Sequence, residues 1–302
     1  MSLIILLYHG VTKHLSEGIE NISGKHIKSD LFFEQMKILK ANCHLLSMDD
    51  VLSHITQKKP FPENATAVTF DDGFENNYTV ARPILEEHEI PATFYLTTGM
   101  ISNSKLFWVD QLEGSLNHTI KKSINIQLGP NLKKYELSSL SSKSSALKDI
   151  KLYCKGISST EKTRIVSQVI EETEVIPNID MSPNYRMMNW EMIKEMNQSK
   201  LFTFGGHNVE HEILSALPTE KMEWQIKSSI ETIEDNLHTN VIHYAYPEGQ
   251  ENHFNNKVIE ILKSSGIMCC PSAINGVNTI KDDLFKLKRV MVGMNNIKFP
   301  YC

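Results

Sequence analysis

Several things are scarce in this chain. Five of its 302 residues are cysteine, Cys43, Cys154, Cys269, Cys270 and Cys302, and no two stand in a CxxC spacing. An odd number at irregular positions argues against a disulfide framework and makes a reducing compartment, the cytoplasm, the expected location. The adjacent Cys269 and Cys270 read as small buried residues near a late strand. Long apolar runs are missing too. The run "LIILL" near the start has five residues and no basic residue before it. It is too short for a membrane span or a signal-peptide core, so no transmembrane segment is expected and the run reads as a buried first strand. There is no long basic run. Lys and Arg number 31 against 36 Asp and Glu, a net charge of −5, which makes nucleic acid an unexpected partner. No internal repeat is visible.

Apolar residues are plentiful, at 41%, enough for a sizeable core. Short β-favouring runs recur: "LIILLY", "AVTF", "ATFYLT", "LFTFGG", "VIHYAY", "GIMCC" and "RVMV". Amphipathic patterns lie between several of them. In "TEKMEWQIKSSIETIEDNL" the residues Met222, Ile226, Ile230, Ile233 and Leu237 return every three or four positions. Strands alternating with helices predict an α/β fold with a mostly parallel sheet, doubly wound or closed as a barrel. The stretch from about 102 to 186 breaks this rhythm. With no clean strand and the serine-rich "SSLSSKSSALKD", it reads as a mainly helical insertion carrying a mobile loop, within a single domain spanning 1–302.

Three strand ends carry chemistry. "AVTFDDG" puts Asp71 and Asp72 where a strand stops, with Gly73 to turn the chain. Neighbouring carboxylates at a turn can point apart, one toward a cation and one free, although "DDG" is also ordinary turn chemistry. "FGGHNVEHEIL" places His207 and His211 four apart after a strand. In a helical turn these positions share a face, so both imidazoles can reach one ion. "YAYPEG", containing Tyr246, Pro247 and Glu248, can expose backbone N–H groups to a ligand or form a plain β-turn. His14, His26, His44, His54, His88, His118, His238 and His253 have no supporting pattern and receive no role.

In this order and at these separations, "TFDDG", "HNVEH" and "YPEG" resemble the polysaccharide deacetylases of carbohydrate esterase family 4. The resemblance runs from "LLYHGV" to "LKRVMV" and includes "LFWVDQLE". It implies a distorted (β/α)7 TIM-like barrel, a divalent metal, and removal of acetyl groups from an N-acetylated saccharide. Residue by residue, it implies that Asp71 is the catalytic base and that Asp72, His207 and His211 hold the metal. It also implies that the Glu248 N–H faces the oxyanion, with Tyr246 and Pro247 supporting that turn. Two His and one Asp suit zinc first, and also cobalt, nickel or iron.

The pattern departs from the family in four places. Ala245 stands where relatives carry an arginine that orients the catalytic aspartate, and Arg289 is the substitute we expect. Asn208 replaces a Ser or Thr, and Glu248 replaces an aromatic residue. A late leucine–histidine motif, the usual source of the general acid, is missing. His9, ending the first strand, is the expected replacement, because the first and last strands of a closed barrel are neighbours. Two other readings stay open at this level: a catalytically silent carbohydrate-binding relative, and a related amidase acting on a non-sugar C–N bond. Oligomeric state is not legible.

Overall fold

The computed structural model describes residues 1–14, 16–103, 105–293 and 299–301. The chain forms two compact units. The first comprises Met1–Lys13, Gly24–Asn103 and Met187–Cys302; the second comprises His14–Ser23 and Ser104–Arg186.

The first unit is built on parallel strands in the order Val290–Met291, Leu3–Tyr8, Ala65–Phe70, Ala92–Leu96 and Phe202–Gly206. Parallel bridges carry the pairing on, from Gly206 to Tyr244 and from His243 to Cys269. Backbone bonds then lead back toward the start: Ser272 N–H donates to Leu287 O and Arg289 N–H to Ile274 O. This is the distorted (β/α)7 barrel expected, with its irregularity concentrated in the last three staves. All residues of Ala65–Phe70 and Ala92–Leu96 are buried. Strands covered on both faces need apolar residues at successive positions, which is why they appear in the sequence as unbroken runs.

Register decides which residues face inward. Tyr8, Phe70, Phe94 and Phe204 are direct neighbours across four strands. Their rings stack in series at centroid distances of 5.4, 4.9 and 5.7 Å. Each such pair is worth roughly 0.5–1.5 kcal/mol beyond its burial. Phe32, on the helix Ser29–Asn42, packs edge-on against Tyr8 and Phe70, and Tyr8 Oη donates to Gln35 Oε1 on the same helix. These rings therefore face the outer helices. The period of two then turns Thr69, Tyr95 and Asp71 toward the barrel axis. Near the strand N-termini, Leu3, Ile5, Ala65 and Ala67 cluster with Met48, Val51 and Leu52 of the helix Met48–Thr56. A capping box between Ser47 and Asp50 starts that helix, whose apolar face closes this end of the core.

The second unit is mainly helical, as expected, but it also contains strands where none was expected. Helices Trp108–His118, Leu140–Lys155 and Ser159–Thr173 surround an antiparallel hairpin, Ser123–Leu128 with Asn131–Glu136. Only Ile124, Ile126 and Leu128 of its first strand and Tyr135 of its second are buried, so the hairpin offers too few apolar positions to stand out. The serine-rich run is no loop but the start of a helix. Ser139 and Ser142 form a capping box, and Ala146, Leu147, Ile150 and Cys154 make the buried stripe. Serine's preference for caps hid the helical period. The four described cysteines are free thiols, and Cys302 lies outside the described residues. Among the described residues, no helix is long and apolar enough to cross a membrane.

Gly205 sits where two staves approach closely: a Cβ there would lie 2.6 Å from His243 O and 2.8 Å from the Tyr95 ring. Backbone cannot yield as a flexible side chain does. Gly205→Ala is expected to destabilise the protein by about 1–3 kcal/mol, read as a lowered denaturation midpoint. An unchanged midpoint would contradict the close approach.

Candidate metal and catalytic site

The two aspartates at the end of strand Ala65–Phe70 have different surroundings. Asp71 continues the inward parity and meets Arg289, which is fully buried. The guanidinium grips it at two points: Nη1 to Oδ1 at 2.8 Å and Nη2 to Oδ2 at 2.8 Å. Arg289 is fixed in turn by Nε donating to Ser272 O at 2.7 Å and Nη1 donating to Thr69 Oγ1 at 3.2 Å. The ring of Tyr95 lies 5.6 Å from its Cζ. Burial alone would push the Asp71 pKa up, but the Arg289 charge and its two-point bond outweigh this and hold it below the ordinary value. Asp71 is thus a carboxylate, buried yet ionised.

Asp72 turns away from its neighbour because its backbone adopts φ 77° and Gly73 follows at φ 93°. Its carbonyl accepts the Thr97 N–H, which fixes the turn. Its carboxylate oxygen Oδ1 lies 3.3 Å from His211 Nε2 and 3.7 Å from His207 Nε2. Asp71 Oδ2 is 3.9 Å from the same His207 nitrogen.

The two histidines do meet, though not on a helical turn as their spacing suggested. They lie in a loop after strand Phe202–Gly206. Asn208, at φ 58°, accepts the His211 N–H with its side chain and donates to Glu212 O. Gln225, on the helix Thr219–Leu237, accepts the Val209 and Glu210 N–H groups. These side-chain bonds replace the backbone ladder of a helix and hold His211 at φ 56°. Asn208 therefore does structural work at the position where a Ser or Thr was expected.

The donor set fits a metal ion. One ligand atom each from Asp72, His207 and His211 lies within 4.8 Å of the others. Asp72 Oδ1 is buried and, among the described residues, accepts no hydrogen bond. His207 Nδ1 bonds to Ala245 O at 2.9 Å, which assigns the proton to Nδ1 and leaves the Nε2 lone pair facing Asp72. Burial, opposed by Asp71, brings the His207 pKa down to about 4, so the ring is neutral as a ligand must be. Burial pulls the His211 pKa down, yet the adjacent Asp72 carboxylate and the charge of Glu248 leave it raised.

The other expected residues fall as follows. His9 continues inward after Tyr8 and is partly exposed. Burial lowers its pKa, the charges of Asp72 and Asp71 oppose that, and Lys25 and Arg289 add to it. Tyr246 is a prop: its hydroxyl donates to Phe285 O at 3.0 Å and its ring stacks on Phe254 at 4.1 Å. Pro247 is buried, and its carbonyl accepts the Gly249 N–H. Glu248 is half-buried at φ 60° and close enough to His211 to act on its charge. Thr69, Ser272, Gln225 and His26 were not foreseen. Thr69 alone carried a signal, standing two residues before Asp71 and so on the same side of the strand.

Parallel staves, carboxylates at a strand end and a two-His, one-Asp cluster define an α/β barrel with a candidate metal site at its strand ends. The family model described as polysaccharide deacetylase matches residues 58–135 and 160–270, and the chain belongs to that family. A poly-beta-1,6-N-acetyl-D-glucosamine N-deacetylase of Staphylococcus aureus (strain MSSA476) is 28% identical over 120 residues, 37% of this chain. The match spans 41% of that relative's length. Two solved structures share the fold, each at 18% identity and TM-score 0.63. The Streptococcus pyogenes deacetylase PplD in complex with acetate covers 99% of this chain and 95% of its own. IcaB from Ammonifex degensii covers 96% of this chain and 91% of its own.

Because the His211 pKa is raised from its ordinary value, a proton competes with any cation held at its Nε2. Zinc affinity, measured by chelator competition, is expected to fall about tenfold per pH unit once His211 begins to protonate. Affinity unchanged between pH 8 and pH 5.5 would remove His211 from the ligand set.

Proposed function

We propose that this protein is a metal-dependent hydrolase that removes N-acetyl groups from an acetylated amino-sugar saccharide. The observation that carries the proposal is the division of labour between Asp71 and Asp72: one locked to Arg289, the other facing two imidazoles. A purely binding protein needs no buried ionised carboxylate beside its metal ligands. The motif arginine missing at Ala245 was the reason to consider a silent relative, and Arg289, directly before the last strand, brings a guanidinium to Asp71.

In this reading Asp72, His207 and His211 hold the ion, with zinc as the metal proposed. When bound, it supplies Lewis-acid polarisation of the acetyl carbonyl and activation of a water. Asp71, kept ionised by Arg289, takes the proton of the attacking water. The Glu248 N–H faces the developing oxyanion. His9 returns a proton to the departing amine, releasing acetate and a free amino sugar. The name of the Staphylococcus relative motivates an N-acetylhexosamine oligomer as the first substrate to try.

Arg289→Met leaves Asp71 buried without its cation. With its largest opposing charge gone, burial raises the Asp71 pKa, and less of the base is ionised at pH 7. Acetate release from a panel of N-acetylated saccharides should fall by about 10²-fold or more at pH 7 and recover in part as pH rises. Loss of one partner of a buried pair should also cost about 3–5 kcal/mol of stability. Wild-type protein loaded with zinc that releases no acetate from any such saccharide would refute the proposed activity. A pH profile unmoved by the substitution would refute the role given to Arg289.

A further inference from the structure

We propose that His26 is a positioning residue for His9, holding the end of the first strand so that the His9 imidazole reaches the leaving nitrogen. This rests on the reading of His9 as general acid. His9 is the single residue between the strands Leu3–Tyr8 and Gly10–Thr12, so its aim depends on how its two neighbours are held. On one side, Tyr8 O accepts the Asp71 N–H at 3.0 Å, tying His9 to the catalytic base. On the other, Gly10 pairs with His26 in the parallel ladder of Gly10–Thr12 with His26–Lys28, and its N–H donates to Lys25 O at 3.3 Å.

The His26 ring lies directly against Gly10: a Cβ on that glycine would sit 1.8 Å from His26 Nδ1. The ring is held from behind by Phe74, whose centroid is 4.7 Å away at 64°. Asn76 completes the clamp. Its Nδ2 donates to His26 Nδ1 at 2.8 Å, and its Oδ1 accepts the Val11 N–H at 3.2 Å. One amide thus links the imidazole to the backbone two residues beyond His9. Burial, with the charges of Lys25 and His9, keeps the His26 pKa well below the ordinary value. Phe74 and Asn76 follow Asp71 and Asp72 in the same turn, so one segment carries the base, a metal ligand and the clamp on the acid.

Substrate choice separates this role from general support of the fold. Breaking the C–N bond sends its electron pair to nitrogen, which must receive the His9 proton to leave as an amine. An aryl acetate releases a stable phenolate and needs no such proton. Zinc-loaded wild type, His9→Ala, His26→Ala, His26→Asn and Asn76→Ala are compared on an N-acetylglucosamine oligomer and on p-nitrophenyl acetate, with zinc content and unfolding recorded. We expect His26→Ala and Asn76→Ala to lower kcat on the oligomer by about 10–100-fold, within the range a general acid supplies. KM and zinc content should hold, and p-nitrophenyl acetate hydrolysis should change less than about threefold on the same reasoning. His26→Asn, which keeps an acceptor for Asn76, should recover part of the loss. Equal losses on both substrates, no loss on either, or two alanine variants without a cooperative unfolding transition would overturn the proposal. A wild type inert on the oligomer points instead to failure of the deacetylase reading. Equal losses in His9→Ala point to failure of the general-acid assignment. Either result removes the basis of the His26 role.

Discussion

The two-point pairing of Arg289 with Asp71 is the interaction on which the rest of the site depends. A carboxylate buried at the end of a barrel strand would ordinarily take up a proton. Here a guanidinium satisfies both of its oxygens, and Ser272 and Thr69 accept two further donors of that guanidinium. Replacing such a pair by apolar residues can leave stability unharmed, so its presence is better explained by chemistry than by stability. Because Asp71 is occupied, Asp72 is left to face the histidines, and the like charges of neighbours are separated by direction.

The barrel supplies this geometry through strand parity. The stacked rings of Tyr8, Phe70, Phe94 and Phe204 face the helices and fix the register of four staves. Each residue following a ring then points inward, which places His9 and Asp71 over the axis. The turns beyond the strand ends adopt positive φ at Asp72, Asn208, His211 and Glu248. Non-glycine residues in that region cost of order 1–3 kcal/mol each. The cost is concentrated in the loops that aim ligands and N–H groups, and the fully buried strands beneath them hold it in place.

Much of this could be read in the sequence, and what could not has physical reasons. Strands buried on both faces are apolar throughout, so "AVTF" and "ATFYLT" stood out. Asp71, Asp72, His207 and His211 lie within short motifs that a local pattern reveals. Arg289 is 218 residues from Asp71, and only closure of the barrel brings them together. The histidine loop was misread as a helical turn because Asn208 and Gln225 imitate helical bonds with side chains, which no spacing rule detects. The hairpin Ser123–Leu128 with Asn131–Glu136 was missed because it covers its core on one face only. His26 carried no signal of its own, since its significance comes from the ring resting on Gly10.

Zinc stoichiometry and acetate release measured together on Asp71→Asn and Asp72→Asn test the division of labour most directly. Asp71→Asn should bind about one zinc per chain, as a two-His, one-carboxylate site should, and release no acetate. Asp72→Asn should lose the metal and, with it, the activity. Two variants with the same zinc content and the same residual activity would contradict the assignment of separate roles to the adjacent carboxylates.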